Sequence, residues 1–248
     1  IFILKMKAIK NVWVLAAILL VDISVCNSQV SISVNKGSFS SVQEAAAGED
    51  IVNFYDNDPV DDRACTEGYA ALELAKYLPK VSKIKIGDIK LIDTDFLPEN
   101  EMIFIIGSRF SNPLIKNYAP PGGTSLETEQ SYLIRSFKEN DRIVTIIEGA
   151  DRIGTLYGVY RYLEELGIKF IGLGDKGTVV PGYSIDIPAD ICINENPSYY
   201  SRGFYTFGDR EVDDDFFLWM ARNKLNYWTA ENQPVHLLKK LGMKLIEG

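Results

Sequence analysis

Asp151-Arg152-Ile153-Gly154-Thr155-Leu156-Tyr157-Gly158-Val159-Tyr160-Arg161-Tyr162-Leu163-Glu164-Glu165-Leu166-Gly167 is the stretch on which the fold turns. Ile153, Leu156, Tyr157, Tyr160 and Leu163 recur at helical spacing. Asp151 stands where an N-cap is expected and Gly167 where a helix would end. Immediately upstream, Tyr132-Leu133-Ile134-Arg135 and Ile143-Val144-Thr145-Ile146-Ile147 flank the polar turn Lys138-Glu139-Asn140-Asp141, the signature of a hairpin. Immediately downstream, Ile168-Lys169-Phe170-Ile171 reads as another strand. A helix set between strands on both sides predicts an α/β unit.

Further upstream the alternation continues. Ile51 to Tyr55 reads as a strand. Cys65 to Leu78 reads as a helix with Ala71, Leu74, Ala75 and Leu78 on one face, stopped by Pro79. Ile89 to Ile92 is a short strand. Met102-Ile103-Phe104-Ile105-Ile106 is apolar throughout, which suits a central strand covered on both faces. Gly172 to Pro197 is rich in Gly and Pro and reads as a connector. Beyond it the grammar changes. Tyr199 to Tyr205, Leu225 to Thr229 and Met243 to Ile246 read as strands, and Asp213 to Arg222 and Val235 to Leu241 as the helices between them. That β-α-β-α-β order with short links predicts a parallel sheet. Three parallel strands leave an open edge, so more chain is expected to close the sheet.

The 248 residues are 46% hydrophobic and 24% charged, which excludes a disordered chain. The net charge of -8 repels phosphate backbones, so no nucleic-acid partner is expected. His236 is the single histidine, and Cys26, Cys65 and Cys192 have no close spacing. A multi-histidine centre is therefore excluded, a zinc ribbon is unsupported, and no metal or cofactor is expected. His236 lies in a helix-like run and reads as a surface or structural residue. Gly172-Leu173-Gly174-Asp175-Lys176-Gly177 matches a dinucleotide-binding spacing, but β-prone Thr178-Val179-Val180 follows where a helix is required. Nucleotide binding is rejected. The acidic run Asp209 to Asp215 is read as charge at a helix N-terminus.

Lys5, Lys7 and Lys10 precede an apolar run from Val12 to Val21. It is about half the ~20 residues that span a bilayer, so residues 1–28 read as an export signal and no stable membrane span is expected. Two processing routes stay open: cleavage after Ser28, or lipidation at Cys26 on the outer surface. Either way the chain is expected to be secreted or periplasmic. Whether Cys65 and Cys192 pair is also open.

Two segments carry a resemblance. Asp151 to Gly167 with its Leu-Tyr-Gly-Val-Tyr core, leading to Gly177-Thr178-Val179-Val180-Pro181, resembles the last helix of the N-terminal domain of α-glucuronidases. It is also similar to the domain preceding the barrel in family-20 β-N-acetylhexosaminidases. Ser201-Arg202-Gly203-Phe204 and Phe217-Leu218-Trp219-Met220-Ala221-Arg222-Asn223-Lys224-Leu225-Asn226 look like barrel strand 1, helix 1 and the start of strand 2 of the same enzymes. The resemblance covers about Val30 to Gly248. It implies an accessory α/β domain over 29–195, with a mixed sheet and helices on it. It implies that 196–248 is the β-α-β-α-β start of an incomplete TIM barrel.

The resemblance also implies a glycoside hydrolase that acts on terminal sugars of polysaccharides, uronic acid or hexosamine. Arg202 falls where the hexosaminidases bind sugar hydroxyls. Phe207 stands where they place an aspartate, although Arg210 fits a second arginine. Their histidine-containing stretch is replaced by Tyr227-Trp228-Thr229-Ala230-Glu231-Asn232, which favours the α-glucuronidase side. Arg202, Trp228, Glu231 and Asn232 are the expected sugar contacts, with Glu247 weaker. The catalytic acids lie on later barrel strands, so none is assigned here and the fragment is expected to be inactive alone. The aromatic crowding of Tyr199, Tyr200, Phe204, Tyr205, Phe207, Tyr227 and Trp228 suits stacking on sugar rings and equally an ordinary core. The alternative reading is a non-catalytic surface domain that binds glycans or supports a neighbour.

Overall fold

The computed structural model describes residues 30–95, 97, 99–118, 126, 128–205, 213–229 and 234–245. The expected export signal, Phe207, Arg210, Glu231, Asn232 and Glu247 lie outside them. Six strands form the main sheet: β1 (Val30–Ser33), β2 (Ile89–Ile92), β3 (Met102–Gly107), β4 (Tyr132–Glu139), β5 (Arg142–Gly149) and β8 (Cys192–Glu195), in the order β2-β1-β3-β5-β4-β8. β1, β2, β3 and β5 run parallel, and β4 is antiparallel to both of its neighbours. The chain is α/β, as its sequence predicts.

β3 shows why the apolar run had to be central. Phe104 and Ile106 face one apolar cluster, and Ile103 and Ile105 face another on the opposite side of the sheet. The second side is covered by α3 (Leu114–Asn117), which contributes Leu114 and Ile115. The first is covered by α2 (Pro59–Val81) and α4 (Arg152–Glu165). Asp58 caps α2 by accepting Val60 N–H at 3.0 Å, and Pro59 opens it. α2 rests in turn on the short helix α1 (Val42–Ala46).

α4 is the pivot of the molecule. Asp151 Oδ1 accepts Gly154 N–H at 2.7 Å, so the predicted cap is present. Ten of its fourteen residues are buried, more than one amphipathic stripe provides. The surplus is covered by the C-terminal elements described below. Gly158 is required by close approach, since a β-carbon there would lie 2.8 Å from Ile147 Cγ2. Gly167 ends the helix at φ +89°, where glycine escapes the β-carbon penalty.

Four expectations are corrected. Ile51–Tyr55 is not a strand. Asn53 Oδ1 accepts Tyr55 N–H at 3.2 Å and its carbonyl accepts Asp56 N–H, so the side chain closes a local turn. The first strand is β1, whose serines sit in the core: Ser31 Oγ bonds Asn100, and Asn112 Nδ2 donates to the Ser33 carbonyl at 3.2 Å. Pro79 does not stop α2. The helix runs on to Val81 because proline removes one N–H only two residues before the end, and Ser82 closes the terminus by donating to Leu78 O. The strand after α4 joins no large sheet. β6 (Lys169–Phe170) pairs antiparallel with β7 (Thr178–Val179), and Gly172 to Gly177 is the turn between them. Finally, the expected connector contains β8, which adds to the edge of the main sheet beside β4.

Residues 203–245 form a separate three-stranded parallel sheet. Its order is β9 (Gly203–Phe204), β10 (Tyr227–Trp228) and β11 (Lys244–Leu245), with α5 (Asp214–Arg222) and α6 (Val235–Lys240) as the crossovers. Asp213 caps α5 by accepting Phe216 N–H at 3.2 Å, which is the helix-terminal role read for the acidic run. Phe217, Met220, Trp228, Leu238 and Met243 join the same apolar cluster as Leu156, Tyr157 and Tyr160 of α4. No helix among the described residues is long and apolar enough to cross a membrane.

Candidate functional site

The two sheets meet at Arg202, just before β9. Its backbone N–H donates to Asn226 Oδ1 at 2.8 Å, and its carbonyl accepts Asn226 N–H at 2.7 Å. The guanidinium donates from Nε to the Lys224 carbonyl at 2.8 Å, from NH1 to the Tyr199 carbonyl at 2.6 Å, and from NH2 to Gln130 Oε1 at 2.6 Å. It also lies 5.8 Å from the centre of the Tyr157 ring. Asn226 completes the node: its Nδ2 donates to Gln130 Oε1 and to the Tyr200 carbonyl, and its own carbonyl accepts Lys244 N–H at 2.6 Å. The N-terminal ends of all three parallel strands are thus tied to one buried asparagine.

Two cavities flank this node, both touching Gln130 and Arg202. One, of about 270 Å³, reaches Tyr132, Tyr157, Glu195 and Lys224. The other, of about 250 Å³, reaches Glu129, Tyr200 and Lys244. Burial raises the Tyr157 phenol well above its usual range, with the Arg202 guanidinium acting the other way. Burial also pushes the Glu195 carboxyl up, but hydrogen bonds from Tyr132 and Arg161 outweigh it and hold the group below the usual value. The node therefore presents an ionised carboxylate and a fixed guanidinium, both already engaged by protein partners.

Trp228 is in the core, 3% exposed, edge-on to Phe216 at 5.1 Å and to Phe217 at 5.7 Å between ring centres. Its ring is unavailable for the sugar contact expected of it, because α5 packs over it. Phe204 and Tyr205, by contrast, are exposed. The segments that follow the three strands, 206–212, 230–233 and 246–248, lie outside the described residues, and Glu231, Asn232 and Glu247 go with them. His236 is exposed on α6. Cys65 is buried and Cys192 exposed, and both are free; burial pushes the Cys65 thiol up to about 11. Among the described residues no three His, Cys, Asp or Glu side chains are grouped to hold a metal.

The sequence reading missed a second polar cluster, at the end of β3 and β5. Glu148 and Arg109 form an ion pair there, and Glu67 of α2 is fully buried behind Gly107. Burial pushes the Glu67 carboxyl up to about 8, against the opposing effects of Ser111, Arg63 and Arg152. The only sequence signals were a carboxylate in an otherwise apolar strand and another on the buried face of a helix.

No family model matches the chain, and no curated protein matches it. Among solved structures, one described as a family GH115 4-O-methyl-α-glucuronidase with specificity for decorated arabinogalactans aligns with a TM-score of 0.50 at 14% identity, over 88% of this chain and 29% of that one. A second, described as CpGH84D, aligns with a TM-score of 0.47 at 12% identity, over 87% of this chain and 33% of that one. The chain thus spans a third or less of the length of these structures, and what it shares with the glucuronidase is an α/β fold.

Proposed function

We propose that this chain is the N-terminal part of an exported glycoside hydrolase that removes terminal uronic acid or hexosamine units from polysaccharides. The observation that carries the reading is the order of units: a mixed α/β sheet followed by a distinct parallel β9-α5-β10-α6-β11 sheet. The likeness in fold to a solved glucuronidase supports it as an analogy, and function must come from the site. Barrel active sites assemble at the C-terminal ends of the strands. On this reading Glu231 and Asn232, which follow β10, contact the sugar. Arg202 and Trp228 brace the frame from the other end and from the core. Hydrolysis needs two carboxyl groups across the scissile bond, which the reading assigns to strands beyond β11.

The test begins with the locus. Reading frame beyond Gly248 should encode about five more βα units. The encoded polypeptide should then release 4-nitrophenol from a 4-nitrophenyl α-glucuronide or β-N-acetylglucosaminide. A stop codon directly after Gly248, or a full-length product inert on both substrates, would sink the hydrolase reading.

A further inference from the structure

β3 and β5 are parallel neighbours, so the chain leaves both at the same edge of the sheet. It leaves β3 through Gly107-Ser108-Arg109-Phe110 and β5 through Gly149-Ala150. Between the exits lies a cavity of about 210 Å³ lined by Ser108, Arg109, Phe110, Glu148 and Ala150 with their neighbours. This is the edge at which open α/β sheets hold ligands.

Glu148 is 3% exposed, and its Oε1 accepts from Arg109 Nε at 2.5 Å. Its Oε2 and the Arg109 NH2 group are both buried with no hydrogen-bond partner among the described residues. A buried acceptor and a buried donor left open are costly, and native structures rarely leave such groups unmatched. A ligand that brings one donor and one acceptor on neighbouring atoms satisfies both at once. Adjacent hydroxyls of a sugar ring do so. An anion would meet the Glu148 carboxylate and a cation the Arg109 guanidinium, so the pair selects against both. Phe110, 79% exposed, adds an aromatic surface at the rim. The cavity is smaller than the ~300–1,000 Å³ of sites for drug-sized ligands, which fits a single ring.

We infer that this cleft is a carbohydrate-binding site of the α/β domain, taking one neutral sugar ring through Glu148 and Arg109. It is separate from the strand ends of β9 to β11 and does not depend on the hydrolase reading.

The test is an amide NMR titration of the 15N-labelled chain. The probes are methyl α-D-glucopyranoside and methyl β-D-galactopyranoside, with D-glucuronate and D-glucosamine as charged counterparts. The expected result is saturable shifts at Ser108, Arg109, Phe110 and Ala150 with at least one neutral glycoside, bound about tenfold tighter than either charged sugar. E148Q and R109M should each weaken binding roughly tenfold, the loss expected for a hydrogen bond to a charged group. F110A removes an exposed ring whose protein contact is the Arg63 guanidinium 5.6 Å from its centre, so it should lower affinity several-fold with the melting temperature little changed, and it decides the matter if E148Q fails to fold. The inference is overturned if neither neutral glycoside shifts these amides, if a charged sugar binds more tightly, or if F110A and E148Q bind like the parent chain. A uronate held at the ends of β9 to β11 would shift other amides, so each reading can fail without the other.

Discussion

Glu67 is the residue whose chemistry the fold alters most plainly. It sits on the inner face of α2, fully buried. Its pKa rises from 4.5 to about 8 on folding, chiefly through loss of water. The folded state therefore holds a proton that the unfolded chain has released between pH 4.5 and 8. The favourable contribution is complete below pH 4.5 and drains away as pH climbs to 8, by about 1.4 kcal/mol per pH unit. An amide side chain at this position cannot titrate, so E67Q should gain stability relative to the parent across that window and no further above it. Urea unfolding at unit steps from pH 4 to 9 measures the difference; curves that stay parallel would contradict the assignment. Neither Glu67 nor Glu148 was legible as a polar cluster in the sequence. They lie 81 positions apart, one in a helix and one in a strand, and only the parallel pairing of β3 and β5 brings Glu148 to Arg109. Arg202 was expected as a sugar contact through the resemblance alone, and its hydrogen bonds to Gln130 and Asn226 were not legible, because they cross 72 and 24 positions.

Elements are joined by a second buried pair. Arg222 at the end of α5 donates from Nε and NH2 to Glu73 Oε2 of α2, at 3.1 and 3.0 Å, and Tyr160 of α4 donates to the same oxygen. Both charged side chains are almost wholly buried. Removing one partner strands the other, so E73L alone should cost about 3–5 kcal/mol. Replacing both with apolar residues, E73L with R222M, removes both desolvation penalties and should cost less than E73L alone. Chemical denaturation of the two variants checks this, and a double variant weaker than E73L would show that the pair does more than neutralise itself. The long periodic elements were readable in advance: α4 with its cap, the β4–β5 hairpin, β3, and the succession of α5 and α6 between parallel strands. Each has a period longer than the local turn chemistry that competes with it. The misreadings share one cause. Ile51–Tyr55 is apolar enough for a strand, yet Asn53 closes a turn inside it; Val30–Ser33 carries serines whose core partners Asn100 and Asn112 are distant in sequence. β8 looked like linker because a two-sided edge strand needs no apolar alternation.

At the scale of the whole molecule, the open question is whether the two sheets unfold together. Their strands pair in separate ladders, but α4 is covered on one side by the main sheet and on another by α5, so they share one apolar core. Polar ties cross the same boundary. Thr66 Oγ1 and Arg152 NH1 donate to the Lys240 carbonyl, Lys240 pairs with Glu49, Lys224 pairs with Glu164, and Asn223 donates to the Phe170 carbonyl. Exposing the buried tyrosines of α4 would cost roughly 1.5–3 kcal/mol per side chain, which is large against the ~5–15 kcal/mol that stabilises a domain. Detachment of the second sheet is therefore nearly as costly as global unfolding, and one transition is expected. The chain supplies its own probe. Trp219 and Trp228 both lie in the second sheet and its helix, and Trp13 is the only other tryptophan. In a W13F variant, tryptophan fluorescence reports the second sheet alone, while far-ultraviolet circular dichroism is dominated by the longer elements of the first. The two signals should trace coincident urea curves with the same midpoint and slope. A fluorescence transition at lower urea would mean that the second sheet detaches first, and that α4 tolerates exposure its tyrosine-rich surface argues against.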